Sequence, residues 1–75
     1  MKTIDEILET FLKTIKEYIK ENNLNISQFA EFVQIPRRTV NGWLKNGRVP
    51  KIDNIYQVAE CMGCSIDFLL GRVDF

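Results

Sequence analysis

Residues 25–44 read NISQFAEFVQIPRRTVNGWL, and how that stretch folds decides the rest of the chain. Its spacing predicts two short helices separated by a tight turn at Gln34, Ile35 and Pro36. Asn25 stands as an N-cap, and Gln28 is placed to reach back to it in a capping box. Leu24 before the cap and Phe29 after it occupy the positions of a hydrophobic staple. Phe29, Ala30 and Val33 follow at helical spacing, with the small residue where a neighbouring helix must come close. Pro36 then opens the second helix with its φ already in the helical range. On that helix Arg37, Arg38 and Asn41 share a polar side, while Val40, Trp43 and Leu44 share an apolar one.

Working outward, Thr3 and Glu6 form a second capping box, and a long helix follows to about Asn22. Its apolar positions are Ile4, Ile7, Leu8, Phe11, Ile15, Tyr18 and Ile19, a stripe in steps of three and four. After Leu44 the third helix ends near Lys45, and NGRVPK at residues 46–51 is a loop. A fourth helix runs from about Ile52 to Met62 with Ile55, Val58, Ala59 and Met62 inward, and Gly63 stops it. Ser65 caps a short fifth helix with Asp67 in its first turn, where a negative charge suits the dipole. Gly71 closes that helix and leaves residues 72–75 as a tail. No strand pattern, repeat or low-complexity segment interrupts this series, so the class is all-α.

Seventy-five residues are expected to form one domain over 1–75, and 45% apolar residues support a packed globule. The formal net charge is zero, but its distribution is uneven. Residues 36–51 carry Arg37, Arg38, Lys45, Arg48 and Lys51 and no acid; the remainder holds five bases and ten acids. Local field at a binding surface matters more than the sum. Cys61 and Cys64 have no His anywhere in the chain to complete a zinc set, so no metal or cofactor is expected. They read as two small core residues in a reducing cytoplasm, with a lone disulfide staple the alternative. No apolar run approaches the ~20 residues of a membrane span. Asp5, Glu6 and Glu9 interrupt any leader-like start. An enzyme is not expected: there is no Gly-rich phosphate loop and no convincing carboxylate pair, and capping explains Asp5, Glu6 and Asp67.

QFAEFVQIPRRTVNGWLKNGRVP followed by IDNIYQVAECMGCSIDFLLG resembles the Cro and phage-repressor-like (XRE-type) helix-turn-helix family, over roughly residues 12–71. The resemblance implies a five-helix, lambda-repressor-like DNA-binding domain, here with an extended first helix and the helix-turn-helix proper at about 25–44. It implies that the second helix of the pair enters the major groove of DNA. The expected function is a sequence-specific double-stranded DNA-binding transcriptional regulator, a phage-type or antitoxin-like repressor, cytoplasmic and bacterial or phage-encoded. Its expected partners are operator DNA and a second copy of itself, because one short helix contacts too few base pairs for genomic selectivity. No membrane or small-molecule substrate is expected.

In the family the positions matching Arg37, Arg38, Asn41 and Gly42 face the groove. A guanidinium pairs bidentately with guanine O6 and N7, and an Asn amide with adenine N6 and N7. Gly42 reads two ways: a residue that lets the helix sit close to the bases, or a tolerated cost of about 1 kcal/mol in helix propensity. Phosphate contacts are expected from Asn25 with the amides opening its helix, and from Thr39, Lys45, Asn46, Arg48 and Lys51. The plain reading of those lysines is solvated loop charge, and of Thr39 half-buried packing. Trp43, three residues after Val40, is expected to anchor the third helix to the first and fourth rather than to stack on bases.

Three departures from the family pattern stand out. Gln34 occupies a turn position usually held by Gly, and Pro36 replaces the usual Ser or Thr cap. Ile19 and Leu44 stand where many relatives pair Arg with Glu, and an apolar pair avoids desolvating two charges. The stripe of Ile4, Ile7, Leu8 and Phe11 lies upstream of the resemblance and needs a cover, either the tail through Val73 and Phe75 or a partner chain. The alternative function is a protein-interaction module that keeps this fold without reading DNA. The neutral total charge and the long apolar helix favour it, and the acid-free Arg37–Lys51 window disfavours it.

Overall fold

Five helices form among residues 3–72, the part of the chain that the computed structural model describes. They are α1 (Ile4–Glu21), α2 (Ile26–Val33), α3 (Arg37–Lys45), α4 (Ile52–Met62) and α5 (Ile66–Leu69). Local chemistry sets where they begin. The Thr3 hydroxyl accepts from the Glu6 amide at 3.2 Å while Glu6 accepts from the Thr3 amide at 3.3 Å. Asn25 and Gln28 repeat the exchange at 2.7 and 2.9 Å. Ser65 Oγ accepts from the Phe68 amide at 3.0 Å.

The ends share one device as well. Asn23, Gln34, Gly63 and Gly71 all take left-handed backbone, at φ of 54°, 58°, 69° and 82°. The next residue then donates back into the helix: Leu24 to the Ile19 carbonyl, Ile35 to Ala30, Cys64 to Ala59 and Arg72 to Asp67, at 2.8–3.1 Å. This is the Schellman closure, which satisfies carbonyls left open at a helix end. Gln34 therefore does in the turn between α2 and α3 what Gly63 does after α4.

Pro36 stands in the cap position of α3, at φ −52° and ψ 136°, and the helix itself starts at Arg37. Its ring gives a helix-compatible φ, but after the left-handed Gln34 the chain needs an extended step before α3 can start. The Pro36 carbonyl still accepts from the Thr39 and Val40 amides at 2.9 and 3.2 Å. No side chain caps α3.

The core draws on every helix: Phe11 and Ile15, Phe29 and Val33, Val40 and Trp43, Val58 and Ala59, and Leu69 are all buried. Fully burying each large side chain contributes about 1.5–3 kcal/mol, the main term holding so small a fold. Trp43 meets Phe11 edge-on at 5.6 Å between ring centres, which fixes α3 to α1. Ile19 and Leu44 pack half-buried against this core in place of an ion pair. Gln57 of α4 donates to the Val33 carbonyl at the end of α2 at 3.1 Å, across 24 residues of sequence.

Cys61 and Cys64 are free, half-buried and packed against the core. Burial pushes the Cys64 thiol up, against a smaller opposing effect of a backbone hydrogen bond. Along α1 the stripe is covered only in part. Ile7 and Leu8 are half-buried, Ile4 is exposed, and together with Val49, Pro50 and Leu70 they line an apolar hollow. The loop and the end of α5 thus supply some of the cover; Val73 and Phe75 lie outside the described residues. No helix among those residues is long and apolar enough to cross a membrane.

Candidate nucleic-acid interface

Each helical residue turns the direction of its side chain by about 100°. With Val40 and Trp43 of α3 buried, Arg38 and Lys45 fall on the opposite side, flanked by Asn41 and Gly42. Arg37 lies at the edge beside Leu44, and Thr39 at the other edge. Exposure follows this wheel: Arg37, Arg38 and Lys45 are exposed, while Thr39 and Asn41 are half-buried. Arg38 is thus the more centrally presented of the two arginines.

Gly42 is not the open spot expected of a groove-facing glycine. It is buried, and a Cβ placed on it would lie 3.1 Å from Cδ of Arg48, with Cγ and Cβ of the same side chain at 3.7 and 3.8 Å. The carbonyl of Gly42 accepts from the amides of both Asn46 and Arg48 at 3.1 Å. The loop after α3 is therefore folded back on the helix, turning at Gly47 with φ 68°. Neither reading of this glycine from sequence anticipated that a side chain from the loop covers it.

The cations stay available. Arg37, Arg38, Lys45, Arg48 and Lys51 are all exposed, and none of them makes an ion pair with a described residue. No acid lies among residues 36–51, and Asp53 just beyond them accepts from the Asn54 amide at 2.9 Å. A groove at the foot of α3 gathers Arg38, Thr39, Asn46, Arg48 and Lys51 with Asn54 of α4. Asn54 was not anticipated; its only signal is its place one turn after Lys51 in the first turn of α4.

Asn25 stands apart from that groove at the start of α2, with its Oδ1 committed to the cap. Its side-chain NH₂ has no partner among the described residues. Trp43 is buried in the core and forms part of the groove's lining.

A family model described as helix-turn-helix matches residues 15–69. That span contains α2, the Gln34 turn and the whole of α3, the three parts whose geometry is given above. The chain belongs to the Cro and phage-repressor-like helix-turn-helix family. As a member it is a DNA-binding transcription regulator, in a family that is regulatory and not catalytic. The match leaves residues 4–14 of α1 outside, the segment whose apolar stripe extends past the family pattern. Neither the curated proteins nor the solved structures searched contain a match.

Proposed function

We propose that this helix-turn-helix protein is a sequence-specific repressor that acts as a homodimer on a two-fold-related operator, in the cytoplasm of a bacterial cell on host or phage DNA. The observation that carries the reading is the basic edge of α3, without an ion pair among the described residues and standing opposite the buried Trp43 and Val40. Arg37, Arg38 and Asn41 are the proposed readers of base edges, and Thr39, Lys45, Asn46, Lys51 and Asn25 the proposed phosphate contacts. Occupying a promoter is enough to repress it, and the dimer doubles the base pairs read.

Arg37→Ala and Arg38→Ala each weaken binding to a selected operator by ~1–3 kcal/mol, Arg38→Ala the more, with the thermal midpoint unchanged. Equal binding by parent and both variants in a titration against that operator removes the base-reading role.

A second reading has its own support. The apolar hollow bounded by Ile4, Leu8, Val49 and Leu70 is the kind of surface that a protein partner covers. An interaction module that has lost DNA recognition gives no salt-dependent mobility shift on arbitrary duplex; a regulator does.

A further inference from the structure

We propose that Arg48, a loop residue, reads base edges from the position on α3 where Gly42 has no side chain, and that Gly42 is the seat that holds it there. This rests on the DNA-binding reading above and goes beyond it by giving a loop arginine a role in specificity.

Gly42 lies four residues after Arg38, so the two share one face of α3. At most helical positions that surface would be the residue's own side chain. Here the stem of Arg48 runs over the glycine, with Cδ, Cγ and Cβ at 3.1, 3.7 and 3.8 Å from the site of a Cβ. The Arg48 amide bonds to the Gly42 carbonyl at 3.1 Å, so backbone and side chain dock on the same residue. The outer edge of the helix therefore continues from Arg38 to Arg48, one turn further on.

Three properties of this arrangement equip Arg48 to read a base edge. The stem is packed, so fewer rotamers are lost on binding than for a free loop arginine. The residue remains exposed and has no ion pair among the described residues, so its charge is not already spent. Its planar fork offers guanine O6 and N7 two donors in a fixed geometry, which the compact ammonium of a flexible lysine lacks. Lys51 and Asn46 border the same groove as Arg48 and are the phosphate contacts proposed there.

The test compares affinity for an operator selected from random duplex with affinity for a scrambled duplex, at one salt concentration, using the full chain. Arg48→Ala is expected to weaken operator binding about 5- to 150-fold, the factor that corresponds to losing one bidentate pair, while scrambled duplex changes by a few-fold. Arg48→Lys is expected to recover the scrambled duplex and not the operator. Gly42→Leu, which fills the seat, is expected to reproduce the Arg48→Ala pattern and to add little on top of it. Gly42→Ala, which asks Arg48 to move by only tenths of an ångström, gives the same pattern in weaker form should Gly42→Leu fail to fold. Full operator affinity in Arg48→Lys, or an equal fractional loss on both duplexes in Arg48→Ala, makes Arg48 a phosphate clamp and overturns the proposal. Parent-like operator binding by a folded Gly42→Leu overturns the seat. A parent chain that binds operator and scrambled duplex alike, or neither, sinks the regulator reading itself.

Discussion

Gln34 holds a left-handed backbone at φ 58° without being a glycine. For an L-residue with a Cβ that conformation costs on the order of 1–2 kcal/mol, partly offset because a glycine loses more freedom on folding. Gln34→Gly is therefore expected to raise stability by about 0.5–1 kcal/mol, read as a higher urea midpoint with an unchanged slope. An unchanged or lower midpoint would mean that the Gln34 side chain contributes something its exposure does not suggest. This position was legible from sequence, because the pattern around it demanded a turn residue and the chain supplied another. The cover over Gly42 was not. It depends on the path of a loop six residues away, and no local periodicity encodes where a long side chain such as that of Arg48 will lie down.

At the scale of the helices, what was readable was what is local. Capping boxes at Thr3 and Asn25, the Gly63 stop and the Ser65 cap each involve residues within a single turn, and all four form. Pro36 opens α3 from the cap position with the helix-compatible φ its ring fixes, while the extended ψ that the preceding turn imposes was not readable from sequence. The bond from Gln57 to the Val33 carbonyl was invisible for a different reason: it links α4 to α2 across the fold and belongs to neither pattern. The face of Trp43 was readable from its spacing to Val40, and its contact with Phe11 makes it the fastening of α3 to α1. Trp43→Ala is expected to cost ~3–5 kcal/mol and to leave a domain of this size largely unfolded. Circular dichroism would check it: a soluble variant with parent-like helix content means that α3 is held by other contacts.

For the whole molecule, the charge pattern decides more than the total. Five exposed cations sit within residues 36–51. If all five neutralise phosphates, log affinity for non-specific duplex falls against log salt with a slope near −4.5 per subunit, at about −0.9 per contact. A measured slope shallower than about −2 would mean that most of these side chains never reach the backbone. The longest dimension, 33 Å, is about one turn of DNA, and the two halves of an operator lie roughly 34–36 Å apart. One copy carries a single α3, so the proposed two-fold operator requires two copies to read both halves.

Five bases inside that window stand against five bases and ten acids outside it, so positive charge is concentrated on α3 and its loop while the total is zero. In the field of a nucleic acid such a body feels little net pull but a strong torque. It drifts in no faster than a neutral protein would, yet swings its arginines toward the phosphates on approach, so a larger share of its collisions begin in the productive orientation.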